Sequence, residues 1–331
     1  MTASSPGPGM RAVVTGGAGF LGSHLCERLL ARGLHVVCLD NLITGSAVNL
    51  SHLTASPSFT LINCDITGFF SIDDEVDYIF HLASPASPAD YLRFPVQTLK
   101  AGSIGTINAL EVARDKKARF VLASSSEVYG DPLEHPQPES YWGNVNPIGP
   151  RSPYDEAKRF AEAVAAAYSK THSVGIAIAR IFNSYGPRMR PGDGRAIPTF
   201  IRQALAGEPV TVTGNGQQTR SICYVDDTID GILALASSAH PGPVNIGSDH
   251  EMTMLKIATM IRDIAGSASP IQFIPRPADD PSVRRPDTTR ARELLGWEAS
   301  VQPAEGLKRT IAWFADDIRL CSSGRTRRER G

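Results

Sequence analysis

The segment "MRAVVTGGAGFLGSHLCERLLARG", which begins at Met10, constrains the fold more than any other stretch of the chain. It has the pattern of a short apolar strand, a glycine turn and an amphipathic helix. Gly16 permits the tight turn, Gly19 lets the backbone approach a pyrophosphate, and Gly22 lets the helix pack closely on the strand. The helix start offers unpaired N–H groups and the positive end of a dipole to phosphates. The segment therefore predicts a doubly wound α/β sheet with a dinucleotide site.

A second apolar strand, "HVVCLDN", places Asp40 at its carboxyl end. A carboxylate about 20 residues beyond the glycine loop holds both hydroxyls of an adenosine ribose and repels the extra phosphate of NADP. The alternative is that Asp40 merely caps the turn "DNLITG". Because the glycine pattern lies at the right distance, we favour NAD as the cofactor.

Two more strand ends contribute candidates for this site. Asp65 follows the third strand, "FTLINCD", and is a weaker candidate for the adenine edge. Leu82, Ala83 and Ser84 follow the fourth strand in "VDYIFHLASPAS". Since the carboxyl ends of parallel strands face the ligand crevice, we expect these residues to line the cofactor.

The fifth strand, in "KARFVLASSSEVYGD", ends in serines and a glutamate. Ser125 and Glu127 are therefore expected in the crevice, although a serine-rich turn alone would explain the pattern. Downstream, "RSPYDEAKR" begins a helix, because Ser152 is a good N-cap and a proline follows it. Residues four apart share a helix face, so Tyr154 and Lys158 stand side by side.

Composition excludes several classes of function. The 331 residues are 42% hydrophobic and 20% charged with a net charge of −1, which argues against general nucleic-acid or anionic-membrane binding. No apolar run suits a membrane span, and the amino-terminal residues lack a signal-peptide core. The histidines show no metal-ligand spacing, so no metal is expected. The cysteines form no C-x-x-C pair, and we expect reduced thiols in a cytoplasmic protein; they are Cys26, Cys38, Cys64, Cys223 and Cys321.

"TGGAGFLG", the Ser/Tyr/Lys set and the Y-x-x-x-K spacing resemble the extended short-chain dehydrogenase/reductase family. In that family the lysine binds the nicotinamide ribose and lowers the pKa of the tyrosine, which acts as the general base on a sugar hydroxyl. The resemblance implies these roles for Lys158 and Tyr154, with Ser125 bonded to the same oxygen. The predicted cofactor-binding residues are Gly16, Gly19, Phe20, Leu21, Gly22, Asp40, Asn41, Thr44, Gly45, Asp65, Ile66, Leu82, Ala83, Ser84, Ala123, Tyr154 and Lys158.

Longer stretches narrow the resemblance. "HLASPASPADY", "SYWGNVNPIGPRSPYDEAKR", "ARIFNSYGPRM", "QTRSICYVDD" and "DDPSVRRPD" look like UDP-glucuronate decarboxylases, over about residues 10 to 314. The resemblance implies a Rossmann-like doubly wound parallel sheet with a smaller C-terminal substrate-binding domain. It also implies conversion of UDP-glucuronate to UDP-xylose with tightly bound NAD that is regenerated each turnover. A homodimer built on helices near 103–116 and 154–171 is implied as well.

The same resemblance assigns the substrate residues. It places Arg284 near the sugar carboxylate, as a fifth catalytic residue beside Ser125, Glu127, Tyr154 and Lys158. Arginine suits this work because its planar fork binds two oxygens at once. The further predicted substrate-binding residues are Asn183 and Arg220 near the diphosphate, with Lys100 and Arg195 as additional candidates.

Four segments are predicted along the chain. They are a disordered tail at 1–9, an NAD-binding Rossmann domain at 10–180, a mainly nucleotide-sugar-binding domain at 181–315 that shares some elements with the sheet, and a basic flexible tail at 316–331.

Other functions remain open at this stage. A 4,6-dehydratase uses an aspartate immediately before the glutamate, where this chain has Ser126, a poor acid. A UDP-sugar 4-epimerase needs neither Glu127 nor a carboxylate-binding arginine. The alternative outside enzymes is an NAD- or nucleotide-sugar-binding protein.

The chain departs from the family pattern in three places. Ser125 replaces the usual threonine, Ala157 replaces a glycine before the lysine, and Ala101–Gly102 replaces Thr-Asn. We expect the last change to affect the cofactor site most.

Overall fold

The computed structural model describes the backbone of residues 5–322 and the side chains of residues 5–319. The strands are β1 (Arg11–Thr15), β2 (His35–Asp40), β3 (Phe59–Asn63), β4 (Tyr78–His81), β5 (Arg119–Ser125), β6 (Ile176–Ile181), β7 (Ser184–Tyr185), β8 (Val210–Thr213), β9 (Thr219–Ser221), β10 (Cys223–Tyr224), β11 (Val244–Ile246), β12 (Glu251–Thr253) and β13 (Ile271–Ile274). The α-helices are α1 (Phe20–Ala31), α2 (Pro88–Arg93), α3 (Pro95–Lys100), α4 (Thr106–Lys116), α5 (Ser152–His172), α6 (Ala196–Ala206), α7 (Val225–Ser237), α8 (Met254–Ile264), α9 (Thr289–Leu295) and α10 (Pro303–Ser322). Short 3-10 helices span Ala47–Leu53 and Ser126–Tyr129, and a π-helical turn spans Ala101–Gly105.

The central sheet has seven strands in the order β3-β2-β1-β4-β5-β6-β11, and every pair in it is parallel. Successive strands are added toward one side of the sheet from β1 to β3, and toward the opposite side from β4 onward. The gap between β1 and β4 is therefore the topological switch point, where such sheets bind ligands. The predicted doubly wound parallel sheet is therefore confirmed. Because the strand ends meet at one edge, residues that follow β1, β2, β4 and β5 come together there.

The central strands are buried on both faces, as helices cover a parallel sheet on either side. Every residue of β4 is buried, and β5 is buried from Phe120 to Ser125. One apolar cluster includes α1, α7 and the second half of the chain, and another lies between the sheet, α4 and α5. This packing fixes both the glycine loop and α5 against the same rigid sheet.

The second half of the chain builds a smaller layer beside the sheet. The parallel pairs β7–β10 and β8–β13 and the antiparallel pair β9–β12 lie here, while β11 from this half joins the central sheet. From this half of the chain, Asn183, Arg188 and Trp313 line the crevice at the carboxyl ends of the central strands.

Packed structure begins before residue 10 and continues beyond residue 315, which were the predicted inner limits of the two tails. Gly9 donates to the carbonyl of Gly33, and Pro6 is buried, so residues 5–9 pack on the domain. α10 passes position 315 and ends at Ser322. Residues 1–4 and 323–331 of the two predicted tails lie outside the described residues. None of the helices within residues 5–322 combines the length and apolarity that a bilayer crossing requires.

Candidate active site

One large cavity of about 610 Å³ opens at the carboxyl edge of the sheet, a volume typical of cofactor sites. Every residue predicted to bind the cofactor lines it, from Gly16 to Lys158. So do Ser125, Glu127, Lys100, Asn183 and Arg195. Arg220 and Arg284 are not among its lining residues. The cavity therefore brings together most of the predicted site.

The glycine loop is shaped by close backbone contacts. Gly16 has a φ of +71°, and a Cβ there would lie 2.7 Å from the backbone of Ala83. A Cβ on Gly22 would collide with the carbonyl oxygen of Gly16. No side chain caps α1 at Gly19, so the N–H groups of its first turn remain available to a ligand. Glycine is thus required here for both the turn and the helix contact, as predicted.

Asp40 caps the turn and also lies in the cavity wall. Its Oδ1 accepts from the N–H of Leu42 at 2.8 Å, which caps the turn, and its Oδ2 accepts from Ala18 at 2.9 Å. Burial raises the pKa of Asp40, while these two backbone donors lower it. Because the carboxylate is held rigidly at the cavity wall, its remaining lone pairs are oriented for ribose hydroxyls.

Several features fit a bound nicotinamide dinucleotide. Asp40 suits the adenosine ribose, the glycine loop the diphosphate, and the ends of β4 and β5 the nicotinamide, and all of them line one cavity. Ser84 lines the inner part, and its Oγ is buried with no hydrogen-bond partner among the described residues. A buried hydroxyl without a partner is costly, and a ligand amide would satisfy it.

Tyr154 and Lys158 lie on α5 with their side chains in the cavity wall. The Lys158 Nζ donates to the carbonyl of Ala123 at 2.8 Å and lies 5.6 Å from the centre of the Tyr154 ring. Burial raises the pKa of Tyr154 to about 12, although its hydrogen bond with Ser125 lowers it. Further positive charge is needed to form the phenolate near neutral pH, and the Lys158 ammonium stands where it can contribute.

Glu127 is the centre of a buried ionic cluster. Arg151 donates to its Oε2 at 2.6 Å, and Arg284 donates to its Oε1. Burial alone would raise the pKa of Glu127, but the charges of Arg284 and Arg151 lower it to about 2. Glu127 is therefore a carboxylate at any physiological pH.

Arg284 is only 1% exposed and also donates to the carbonyl of Gly130 at 2.7 Å. Arg284 therefore does not line the cavity itself and is connected to it by its ion pair with Glu127. Arg220 forms an ion pair with Asp280 at 2.9 Å, outside the cavity lining.

The cluster carries excess positive charge. Two guanidinium groups, of Arg151 and Arg284, face the single carboxylate of Glu127, which leaves one net positive charge. Burial and the negative Glu127 raise the pKa of nearby Asp155 to about 8, so that carboxyl does not cancel the charge at neutral pH. Only Glu127 of this cluster lines the cavity, so the two guanidinium groups stand behind that carboxylate as seen from a ligand.

Two residues at the site were not predicted from the sequence. Arg151 lies three residues before Tyr154, one helical turn away on the same face, and that spacing is a signal that would have found it. Tyr91 on α2 stacks on the Tyr154 ring, with centroids 5.6 Å apart and an angle of 14° between the planes. No local pattern indicates this contact, because it joins distant parts of the chain.

Two of the departures from the family pattern touch each other. A Cβ added to Gly102 would lie 2.5 Å from the Cβ of Ala157. The methyl group of Ala157 therefore occupies the space that a side chain at position 102 would need. Ala101, beside this contact, lines the cavity in the π-helical turn. The glycine at position 102 and the methyl group at position 157 are therefore sterically complementary.

We expect Gly102→Ala to lower the free energy of unfolding by about 1–3 kcal/mol, because the added methyl overpacks the contact with Ala157. Its better helix propensity, worth about 1 kcal/mol, acts in the opposite direction. Adding Ala157→Gly should restore most of the loss. Urea unfolding of the parent, both single variants and the double variant measures the interaction energy. Additive effects would show that the two positions do not compensate.

The burial of the Lys158 ammonium group lowers the free energy of unfolding. Burial lowers its pKa from 10.5 to about 8, against the attraction of Glu162. We expect Lys158→Met to raise the free energy of unfolding at pH 7 by up to about 3 kcal/mol while abolishing turnover. Between pH 8 and 10.5 the unfolded chain binds more protons than the folded one, so parent stability should rise with pH. The variant should lack this rise in urea titrations, and an equal rise in both would contradict the assignment.

Comparisons with known proteins agree on one family. A family model described as "NAD dependent epimerase/dehydratase family" matches residues 12–247. UDP-glucuronic acid decarboxylase 1 of Arabidopsis thaliana is 49% identical over 309 residues, which cover 93% of this chain and 71% of that protein. UDP-glucuronic acid decarboxylase 1 of Danio rerio is 49% identical over 308 residues, covering 93% and 73%. The solved structure of UDP-glucuronic acid 4-epimerase from Bacillus cereus, in complex with UDP-glucuronic acid and NAD, has a TM-score of 0.82 and 29% identity, covering 93% of this chain and all of that one.

Proposed function

We propose that this chain, which belongs to the NAD dependent epimerase/dehydratase family and within it to the UDP-glucuronic acid decarboxylases, converts UDP-glucuronate to UDP-xylose and carbon dioxide. The observation that carries the proposal is the position of the Glu127 cluster. Glu127, through which the cluster contacts the cavity, lines it together with Ser125, Tyr154 and Lys158. A carboxylate on the sugar and an oxidisable hydroxyl can therefore be held side by side.

The cofactor contributes one reversible step. NAD held along the glycine loop would supply reversible hydride exchange at C4 of the sugar and would be regenerated in each turnover. The residues that would hold it are those of the glycine loop, Asp40, the loop after β4 and Lys158. Asp40 at the ribose position favours NAD over NADP.

The chain's own groups handle protons and charge. Tyr154 takes the proton of the C4 hydroxyl as general base, supported by the ammonium of Lys158. The resulting ketone stands β to the C5 carboxylate, so the C–C bond to carbon dioxide breaks with its electrons moving to the ketone oxygen. The hydroxyls of Tyr154 and Ser125 then donate to that oxygen and stabilise the enolate. C5 then takes up a proton, which leaves a ketone at C4 whose reduction would complete the cycle.

The Glu127 cluster has the charge that the substrate requires. We propose that Arg284 and Arg151 attract the sugar carboxylate, with Glu127 keeping the two guanidinium groups aligned. Loss of carbon dioxide removes one negative charge from this end of the site. Glu127 is also placed to order the group or water that protonates C5. Lys100, Asn183 and Arg195 line the outer cavity, where they suit the nucleotide diphosphate, and Arg220 would need to leave Asp280 to join them.

We also propose that the protein acts as a homodimer. Exposed apolar side chains cluster on α2, α3, the π-helical turn and α5; they are Leu92, Val96, Leu99, Ile104 and Phe160. These elements pack against one another, so the side chains form one surface. A mass measurement in solution by light scattering tests the dimer. The described cysteines are free, which supports a reducing compartment such as the cytoplasm.

The deciding experiment incubates the protein with UDP-glucuronate and NAD and identifies products by mass spectrometry and proton NMR. UDP-xylose without net NADH supports the full cycle. UDP-4-keto-pentose with accumulating NADH means that the return of hydride fails, which points to the cofactor contacts near Ala101. UDP-galacturonate without carbon dioxide shows an epimerase and contradicts the proposal. UDP-glucose, which lacks the carboxylate, is the matched control substrate.

A further inference from the structure

Residues 187–195, which we call the strap, cross the cavity between α1 and α2. Arg188, Met189, Arg190, Asp193 and Arg195 all line the cavity. The strap thus links α1, which follows the glycine loop, to α2, which follows the loop after β4. A ligand that fills the cavity from the glycine loop to Ser84 would lie beneath it.

The first part of the strap is fastened to α1 by several contacts. His24 donates from Nε2 to the carbonyl of Pro187 at 3.0 Å, and Arg188 is paired with Glu27. Met189 is 2% exposed and packs in the apolar core. This end of the strap is therefore held by hydrogen bonds, charge and burial together.

The second part is fastened differently. Arg190 reaches both carboxylate oxygens of Asp90 on α2, at 2.7 and 2.6 Å. Ser87 donates to the same carboxylate at 2.7 Å, which fixes its orientation. The Asp90 side chain is 11% exposed and that of Arg190 is 43% exposed, so this link can break without opening the core. Gly192 and Gly194 follow at once, and Gly194 has a φ of +78°.

We propose that the Arg190–Asp90 ion pair latches the strap over the cavity and slows the release of NAD. Asp90 and Arg190 are positioning residues in this role. The inference rests on the proposed function in one respect: a cofactor that is oxidised and reduced within one turnover must stay bound while the sugar is a ketone. A strap held firmly on α1, continuous with α6 and linked to α2 by the partly exposed Arg190–Asp90 ion pair provides such retention and still allows exchange.

The test measures the release of labelled NAD from loaded protein, without substrate, after a chase with excess unlabelled NAD. We expect Asp90→Asn and Arg190→Gln each to release NAD about five- to thirtyfold faster, because the charge-assisted link from Arg190 Nη2 to the Asp90 carboxylate is lost. The double variant should release NAD no faster than either single one, since both changes break the same link. Arg190→Lys should retain part of the effect. Asp263→Asn, which breaks the exposed pair with Arg262 on α8, is the matched control.

Two further readouts separate a latch from a merely structural pair. Raising the salt concentration should speed release from the parent and have less effect on Asp90→Asn. The thermal midpoints of the NAD-free parent and variant should agree. Unchanged release rates, or a fall in the NAD-free midpoint that parallels faster release, would overturn the inference. Faster release in a protein that forms no UDP-xylose would contradict the proposed function and leave the latch standing.

Discussion

Tyr154→Phe is expected to reduce the formation of UDP-xylose by about 10²- to 10⁴-fold, the usual contribution of a general base. Only the hydroxyl is removed, so the ring keeps its stacking on Tyr91 and its place beside Lys158. NAD and UDP-glucuronate should bind the variant nearly as well as the parent. Product analysis gives the turnover, and calorimetric titration with each ligand gives the affinities.

Tyr168→Phe is the matched control for this variant. It removes a hydroxyl from the same helix, where Tyr168 is hydrogen-bonded to Glu111 away from the cavity, and should leave turnover unchanged. Full activity in Tyr154→Phe would rule out the proton transfer proposed above. Lost activity with lost NAD binding would mean instead that the tyrosine holds the cofactor and leave its role as a base unsupported.

Local sequence patterns were sufficient for the part of the site that rests on the sheet. Gly16, Asp40 and Ser84 lie at or just after the ends of strands. The carboxyl ends of parallel strands meet at one edge of the sheet, and this does not depend on the conformation of the loops. Predicting the strands therefore also predicts the neighbourhood of these residues. The Tyr154–Lys158 pair was predictable for a similar reason, because four residues span one helical turn.

Contacts between distant segments could not be found in this way. Glu127 and Arg284 are 157 positions apart, and their pairing depends on how the second half of the chain folds over the sheet. The resemblance pointed to Arg284, but not to its salt bridge with Glu127. Gly102 and Ala157 were noted separately as departures, and only the packing of the π-helical turn on α5 shows that they compensate. Patterns within a helix or strand carry no information about such packing.

Arg284→Met is expected to lower the kcat/KM for UDP-glucuronate by about 10²-fold or more, because the cluster loses the net positive charge that attracts the sugar carboxylate. The loss should appear mainly in KM if Arg284 only binds the carboxylate, and in kcat as well if it supports the loss of carbon dioxide. Arg284→Lys keeps the charge and loses the planar fork, so it should recover only part of the activity.

The difficulty with Arg284→Met alone is that it also destabilises the fold. It leaves Glu127 buried with one partner instead of two, and breaking a buried ion pair from one side costs about 3–5 kcal/mol. Glu127→Gln combined with Arg284→Met removes both charges, and its free energy of unfolding should return toward that of the parent. Glu127→Gln alone is the reference for activity, because both variants lack the Glu127 carboxylate. If Arg284 acts on the substrate, the double variant is less active than Glu127→Gln. If the two are equally active, Arg284 acts only through Glu127, and the carboxylate site must then depend on Arg151.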